Sequence, residues 1–261
     1  MRGTNRPWGL GFLYGLYQRR LRRDLAGAVR PRHVAIILDG NRRWARARSL
    51  ESAGLGHRAG AAKFREFLDW CDDLDIEVAT LYLLSTDNLL GRDEGELSDL
   101  FEIIADLADD LSRYRDWRVK HVGDTTGLPD ELRGVLAAAS ARTEGKSGLH
   151  VNLALGYGGR REIADAMRSI VRKHADAGGT LDALAEILTP DLIGEHLYTG
   201  GQPDPDLVIR TSGEQRLSDF MLWQSAHSEF YFVEALGPDF REVDFLRALR
   251  DFATRQRRFG K

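Results

Sequence analysis

Short runs with the character of β-strands alternate with longer helical stretches along most of this chain. The strand candidates are His33–Leu38, Ile76–Leu84, Arg118–Val122, Leu149–Leu155, Leu207–Arg210 and Phe230–Val233. Apolar residues repeat at three- and four-residue steps in the predicted helices His57–Leu74, Asp93–Tyr114 and Arg160–His174. Strands that alternate with helices predict an α/β fold, which we expect to be a single domain with a mostly parallel central sheet flanked by helices.

Length and composition narrow the class of protein further. A chain of 261 residues is long enough for one large α/β domain. Its single cysteine, Cys71, excludes an intrachain disulfide and a four-cysteine zinc site, and is typical of a reducing compartment. No apolar run reaches the roughly 18 residues that a membrane span requires. We therefore expect a cytoplasmic protein. The net charge of -3 argues against a nucleic-acid partner, so we expect no binding to nucleic acid.

Positive charge is concentrated at the amino terminus. Residues 1–32 contain eight arginines and one aspartate. The run 8–25 repeats apolar residues at helical spacing, and two interpretations of it are open. It is either a helix packed on the domain or a basic amphipathic surface that contacts anionic lipid, peripherally on the inner face of the cell membrane. We therefore divide the chain into a basic amphipathic arm, residues 1–30, and one domain, residues 31–261.

Polar segments follow four of the predicted strands. Ligands of parallel sheets bind beyond the carboxyl ends of the strands, so these segments form the candidate site. They are Asp39–Trp44, Ser85–Asn88, Gly156–Arg160 and Thr211–Ser218. They are rich in arginine, which holds phosphate groups through paired hydrogen bonds, and in glycine, which lets backbone N–H groups approach an anion.

This composition predicts an enzyme that acts on diphosphates. The residues that suit more than one diphosphate group are Arg42, Arg43, His57, Arg210, Arg216 and Ser218. Asp39 lies among them in the sequence, and it is either a salt-bridged carboxylate or a Mg²⁺ ligand that bridges the metal and a diphosphate. The Gly156–Gly159 segment is too short to indicate a dinucleotide site, and we prefer to interpret it as a turn before a helix.

Five ordered segments resemble the motifs of the cis-prenyltransferases, the undecaprenyl diphosphate synthase family. These segments are His33–Ala45, Gly56–Gly60, Leu81–Asn88, Asp206–Ser218 and Trp223–Glu229. The activity that the resemblance implies is Mg²⁺-dependent condensation of isopentenyl diphosphate with an allylic diphosphate, which creates a cis double bond. Residues 31–261 are then the catalytic domain.

The resemblance also implies a role for each candidate site residue. Asp39 is implied to bind Mg²⁺ and assist departure of the allylic diphosphate, Asn88 to help remove a proton, and Glu229 to be a second metal ligand. The residues implied to bind the allylic diphosphate or to lie beside it are Gly40, Asn41, Arg42, Arg43, Trp44 and His57. Those implied for isopentenyl diphosphate are Arg210, Arg216, Leu217 and Ser218. Those implied for a mobile loop beside the reacting carbons are Ser85, Thr86, Asp87 and Arg92.

The branch that this chain resembles most is the short-chain actinobacterial type, which makes (2Z,6E)-farnesyl diphosphate. We expect an apolar slot for the hydrocarbon chain between the inward face of helix 93–114 and strand 76–84. Because side chains alternate along a strand, we expect one of Leu83 and Leu84 to face the chain and block a further isoprene unit. We therefore expect a short product, made from a geranyl diphosphate primer. A long-chain decaprenyl or undecaprenyl-type synthase, a non-catalytic family subunit and a tail-to-middle coupling enzyme are the alternatives.

Three further expectations concern assembly and individual residues. Arg258–Gly260 resembles a carboxyl-terminal motif that reaches across a homodimer to isopentenyl diphosphate. Asp219 and Arg42 depart from the family pattern, since asparagine and glycine are more usual at these positions. The acidic residues within 93–110 are expected to form a solvated outer face of their helix.

Overall fold

The computed structural model describes residues 8–255, and in this range the central sheet has six parallel strands in the order β3-β4-β2-β1-β5-β6. The strands are β1 (His33–Ile37), β2 (Val78–Ser85), β3 (Arg118–Val122), β4 (His150–Tyr157), β5 (Leu207–Arg210) and β6 (Glu229–Phe232). The predicted α/β fold with a parallel central sheet is confirmed. Because β1 lies between β2 and β5, the polar segments that follow these three strands meet at one edge of the sheet.

Ten α-helices connect and cover the strands within the described residues. They are α1 (Trp8–Asp24), α2 (Asn41–Ala47), α3 (Ala53–Asp72), α4 (Thr86–Gly91), α5 (Glu94–Arg113), α6 (Asp130–Thr143), α7 (Gly159–Asp176), α8 (Leu181–Ile187), α9 (Pro190–Glu195) and α10 (Glu242–Thr254). The three helices predicted between the strands correspond to α3, α5 and α7. Helix α3 begins four residues earlier than predicted, after the extended residue Ser52.

Alternate residues of each strand belong to two apolar clusters, one on each face of the sheet. In β1, Val34 and Ile36 contribute to the larger cluster, which also contains buried residues of α3, α5, α6 and α10. Ala35 and Ile37 contribute to the smaller cluster, which includes Tyr157. This alternation is the expected consequence of the pleat of a strand buried on both faces.

Helix α1 lies against α10. Leu21 and Leu25 are both 1% exposed and belong to the larger apolar cluster. Arg22 forms an ion pair with Glu242 at 2.6 Å. These contacts agree with a packed helix, whereas the division of the chain at residue 30 stays a prediction. Within residues 8–255, no helix has the length and hydropathy needed to span a membrane.

The end of β2 departs from regular pairing with β4. Tyr82 pairs with Ala154 and Leu84 pairs with Leu155, so Leu83 is an extra residue in β2. Such a bulge interrupts the alternation of side chains. Leu84 therefore joins Leu81 in the larger apolar cluster and Leu83 packs against the same cluster, so alternation does not separate the two leucines here. Which of them faces the hydrocarbon chain stays a prediction.

Candidate active site

A cavity of about 750 Å³ opens at the carboxyl ends of β1, β2 and β5. Most of the predicted site residues line it, namely Asp39, Gly40, Asn41, Arg42, Arg43, His57, Ser85, Asp87, Asn88, Arg92, Arg210, Arg216 and Ser218. These residues come from segments that are far apart in sequence, and the strand order brings them together. The cavity has a polar end formed by these residues and an apolar end formed by helices α3 and α5 and strand β2.

The polar end is organised around Asp39 and Arg210. Arg210 Nη2 donates to Asp39 Oδ2 at 2.9 Å, and Arg210 Nη1 donates to Ser218 Oγ at 2.8 Å. Asp39 Oδ1 also accepts a hydrogen bond of 2.6 Å from the backbone N–H of Gly40. Because Arg210 also donates to the backbone carbonyl of Arg216, one buried guanidinium links the segments after β1 and β5.

Glycines allow close packing at the wall of the cavity, at the start of α2 and between α2 and α3. Gly40 has a φ of 96°, and a Cβ atom there would lie 2.8 Å from a side-chain carbon of Leu236. A Cβ atom on Gly56 would lie 2.3 Å from the backbone oxygen of Asn41. Only glycine fits both positions without displacing a neighbour. The close approach puts His57 of α3 beside the arginines of α2.

Glu96 connects three basic residues of this wall. Its carboxylate lies 3.1 Å from His57 Nε2, 2.7 Å from Arg92 Nη1 and 3.7 Å from Arg42 Nη1. Its side chain is 14% exposed, so the expectation that the acidic residues of 93–110 all face solvent is wrong for Glu96. This role is not visible in the sequence, because Glu96 lies among other acidic residues of α5 and only the tertiary packing distinguishes it.

Burial shifts the protonation equilibria of two of these residues. Burial lowers the pKa of His57, and the hydrogen bond with Glu96 opposes this effect. Burial also lowers the pKa of Arg92, although the adjacent carboxylate of Glu96 raises it. His57 is therefore predominantly neutral at pH 7 in the absence of a bound anion. A diphosphate placed beside it would favour the protonated form.

Glu214 lies between two further arginines. It accepts a contact of 3.5 Å from Arg43 and forms an ion pair with Arg216. Arg43 belongs to the segment after β1 and Arg216 to the segment after β5. Glu214 is not among the predicted site residues, although it lies within the motif Asp206–Ser218. One carboxylate therefore orients cationic groups on both sides of the cavity.

The apolar end of the cavity is a slot between β2 and α5. The apolar lining residues are Ala61, Phe64, Leu83, Leu84, Leu100, Ile103, Ile104 and Leu107. Leu84 is 1% exposed, whereas Leu83 is half-buried. The slot has the composition and the position that the sequence predicts, between helix 93–114 and strand 76–84.

Segment 85–92, predicted as a mobile loop, is mostly helical in this structure. Ser85 caps α4, because its Oγ accepts a hydrogen bond of 3.0 Å from the backbone N–H of Asn88. Asp87 and Asn88 lie in the first turn of α4 and line the cavity. Thr86 does not line it, and its hydroxyl lies 3.4 Å from the carbonyl of Gly156.

Three other predicted site residues do not line the cavity. Trp44 points away, and its Nε1 donates to Asp239 at 3.0 Å. Leu217 packs against the smaller apolar cluster. Glu229 pairs with Leu207 at the amino end of β5 and forms an ion pair of 2.5 Å with Arg255. Along the strands this lies about 16 Å from Asp39, so one chain does not bring these two carboxylates together.

The donor set at the polar end fits a metal that is held mainly by substrate. Within residues 8–255 there is no cluster of three or more His, Cys, Asp or Glu side chains that could bind an ion. The Asp39 side chain is 39% exposed beside the cavity. Mg²⁺ keeps several waters and is commonly held by one or two carboxylates together with phosphate oxygens. A single accessible carboxylate among arginines suits that arrangement.

Comparisons with known proteins agree with this geometry. Residues 37–260 match the prenyltransferase family described as "Putative undecaprenyl diphosphate synthase". The chain is 58% identical over 248 residues to the (2Z,6E)-farnesyl diphosphate synthase of Thermobifida fusca, covering 95% of this chain and 97% of the relative. It is 53% identical over 252 residues to the enzyme of the same name from Mycolicibacterium smegmatis, covering 95% of each chain.

A solved structure shares the fold as well. The lavandulyl diphosphate synthase from Lavandula x intermedia, solved in complex with dimethylallyl diphosphate, aligns with a TM-score of 0.82 and 35% identity. The alignment covers 88% of this chain and 98% of that structure. The family match over most of the sequence and the relatives above 50% identity lead to one conclusion. The chain belongs to the undecaprenyl diphosphate synthase family of prenyltransferases.

Proposed function

We propose that this protein condenses isopentenyl diphosphate with an allylic diphosphate, geranyl diphosphate by preference, to form a cis double bond and (2Z,6E)-farnesyl diphosphate. The observation that carries the proposal is the cavity with two chemically different ends. Arginines surround Asp39 at the polar end, and the slot between β2 and α5 is apolar. The names of the relatives from T. fusca and M. smegmatis support the same reaction and a short product.

Two groups of basic residues serve as the two diphosphate sites in this proposal. Arg42, Arg43 and His57, with Gly40 and Asn41, hold the allylic diphosphate. The isopentenyl diphosphate site consists of Arg210, Arg216 and Ser218. Arginine suits both sites because its planar guanidinium makes paired, charge-assisted hydrogen bonds to phosphate oxygens. Arg92 contributes charge beside the first site, where Glu96 orients it.

Departure of the allylic diphosphate separates a carbocation from an anion. The arginines of the first site stabilise the leaving anion most strongly in the transition state, where its charge develops. Asp39 is the residue that would hold Mg²⁺, together with diphosphate oxygens. When bound, Mg²⁺ supplies further neutralisation of the leaving diphosphate. Asn88, which lines the cavity beside the two sites, assists loss of the proton when the new carbon–carbon bond forms.

A homodimer is part of the proposal, although Arg258–Gly260 lies outside the described residues. Glu229 remains the proposed second metal ligand, and a site shared between subunits is needed for that role because Glu229 is remote from Asp39 within one chain. Trp44, Thr86 and Leu217 act behind the cavity wall rather than on its surface. Ser85 and Asp87 lie on the cavity surface beside Asn88.

The remaining part of the proposal concerns the location of the protein. The arm, residues 1–30, makes a peripheral membrane contact, and the catalytic domain, residues 31–261, lies in the cytoplasm. Arg19, Arg20 and Arg23 are exposed on α1, and Leu16 is 45% exposed beside them. An exposed apolar residue among arginines suits the headgroup region of anionic lipid.

The experiment that tests the proposed reaction is incubation of the purified protein with isopentenyl diphosphate and each of three primers. The primers are dimethylallyl, geranyl and farnesyl diphosphate, each with and without Mg²⁺. We expect a fifteen-carbon product from the geranyl primer, formed only with divalent metal. Chains of fifty carbons or more would identify a long-chain synthase instead, and the absence of product with every primer would identify a non-catalytic subunit.

A further inference from the structure

A left-handed turn holds one wall of the proposed isopentenyl diphosphate site. In the 218–221 turn, Ser218, Asp219 and Met221 have φ values of 50°, 63° and 47°. Such values are unfavourable for residues that carry a Cβ atom, and they persist only where surrounding contacts hold the backbone. Ser218 is exposed and lines the cavity, so these contacts determine the position of a proposed substrate ligand.

Tyr82 of β2 contacts the turn from the side of the sheet. Its hydroxyl donates to the backbone carbonyl of Ser218 at 3.1 Å. Its ring stacks on Phe220 with a centroid separation of 4.5 Å. Phe220 is fully buried, so the stacked pair anchors the middle of the turn. Tyr82 therefore joins strand β2, which also carries Ser85, to the residue that faces the second diphosphate.

Asp219 joins the other side of the turn to the amino end of α7. Its backbone carbonyl accepts from Gly159 N–H at 2.7 Å, and its side chain accepts from Arg160 N–H at 3.1 Å. A Cβ atom on Gly158 would lie 2.8 Å from the carboxylate of Asp219. A Cβ atom on Gly159 would lie 2.9 Å from its carbonyl oxygen. The glycines of the Gly156–Gly159 segment thus make room for this turn.

We propose that Tyr82 and Asp219 are positioning residues that hold the 218–221 turn in the geometry that receives isopentenyl diphosphate. This inference rests on the proposed function and deepens its second substrate site. Tyr82 fixes the carbonyl of Ser218, while Arg210 donates to the hydroxyl of the same residue. Asp219 is compatible with the role, because a carboxylate is favoured at a helix amino terminus and aspartate tolerates left-handed backbone.

The decisive variant is Tyr82→Phe, which removes one hydroxyl and keeps the ring that stacks on Phe220. We expect the KM for isopentenyl diphosphate to rise about two- to tenfold, as for loss of one neutral hydrogen bond, and the KM for the allylic substrate to stay within about twofold. Tyr198→Phe is the matched control, because its hydroxyl contacts Asp165 and not the turn. An unchanged KM for isopentenyl diphosphate, equal shifts in both KM values or a change in kcat alone would overturn the proposal.

Conservative replacement of Asp219 gives a second, independent readout. Asp219→Asn keeps an acceptor for Arg160 N–H and the tolerance for left-handed backbone, so we expect kinetics close to the parent. Asp219→Ala removes the acceptor, and should raise the KM for isopentenyl diphosphate as Tyr82→Phe does. Equal behaviour of the Asn and Ala variants would contradict the role given to the side chain.

Equilibrium titration with isopentenyl diphosphate alone separates this inference from the proposed reaction. We expect Tyr82→Phe to weaken binding by about the same two- to tenfold factor. A parent protein that binds isopentenyl diphosphate but never condenses it would refute the proposed function, while weaker binding by the variant would still support the positioning role. Equal affinities of parent and variant would overturn that role.

Discussion

The ion pair between Arg210 and Asp39 joins the carboxyl ends of two neighbouring strands. Arg210 pairs with Ile37 in the sheet, so its guanidinium lies beside Asp39, which comes two residues after the end of β1. Its side chain is 5% exposed, whereas that of Asp39 is 39% exposed. The buried cation is thus neutralised by a carboxylate that remains accessible from the cavity. Both interpretations of Asp39 that its sequence context leaves open are compatible with this geometry, because a carboxylate has room for an arginine and a metal.

Asp39→Ala tests the catalytic part of this arrangement. The variant removes the proposed metal ligand and leaves Arg210 without its carboxylate partner. We expect kcat to fall by about two to four orders of magnitude, equivalent to about 3–5 kcal/mol of lost transition-state stabilisation. Steady-state assays with saturating substrates measure the loss. Glu77→Ala is the control, since it removes a carboxylate that precedes β2 and is remote from the cavity. If Asp39→Ala kept a rate within tenfold of the parent, the assignment of Asp39 as a metal ligand would be wrong.

Arg43→Ala and Arg216→Ala distinguish the two diphosphate sites. Each charge-assisted hydrogen bond contributes about 1.5–3 kcal/mol, so each loss should raise a KM roughly tenfold or more. We expect Arg43→Ala to affect chiefly the allylic substrate, and Arg216→Ala to affect chiefly isopentenyl diphosphate. Kinetics with each substrate varied in turn provide the measurement. Because both arginines contact Glu214, a smaller crossed effect is expected, but exchanged effects would refute the site map.

Leu84→Ala and Leu83→Ala test the control of product length. Both leucines line the apolar slot, and replacement by alanine opens space at its wall. We expect longer products with unchanged KM for isopentenyl diphosphate, measured by mass analysis of the dephosphorylated alcohols. Leu153→Ala provides a buried control in β4, since Leu153 is 0% exposed and does not line the cavity. An unchanged product length in both slot variants would show that neither leucine limits chain growth.

Sequence periodicity was sufficient to predict the sheet and the location of the polar site. Strands β3 and β5 have the predicted limits. Helices α6 and α10 were not among the predicted elements. Helix α6 contains the sequence Leu136-Ala137-Ala138-Ala139, in which the small residues blur the apolar face, and its position is set by packing against α5 and β3.

Residues whose roles depend on three-dimensional neighbours were harder to predict. Glu96 looks like any exposed acid of an amphipathic helix until α2 and α3 are packed beside it. Trp44 and Glu229 fall within recognisable motifs, yet a motif does not determine which way a side chain points or how far it lies from Asp39. Leu84 shows the same limit, because the bulge at Leu83 moves it to the face that regular alternation gives to Leu81 and Leu83.

The burial of His33 leads us to expect that acid destabilises the folded protein. Its ring lies between Pro203 O at 2.8 Å and Thr80 Oγ1 at 2.7 Å, and burial lowers its pKa to about 4 from 6.5. The unfolded chain therefore binds a proton below pH 6.5 that the folded chain resists until about pH 4. The free energy of unfolding should therefore fall by up to about 3 kcal/mol as the pH is lowered from 6.5 to about 4. Urea unfolding at pH 7.5 and pH 4.5 measures the loss, and His33→Gln should reduce the difference; a parent protein equally stable at both values would contradict the prediction.

Variants of the exposed arginines of α1 test the proposed membrane contact. Arg19, Arg20 and Arg23 should each contribute about 1 kcal/mol of binding to anionic lipid near the surface. Replacing all three by glutamine should abolish co-sedimentation with vesicles that contain phosphatidylserine, and the parent protein should dissociate as salt is raised. Arg22→Gln is the matched control and should have a smaller effect on lipid binding, because Arg22 is already paired with Glu242. A parent protein that does not bind anionic vesicles at low salt would leave α1 as a helix whose role is to pack against α10.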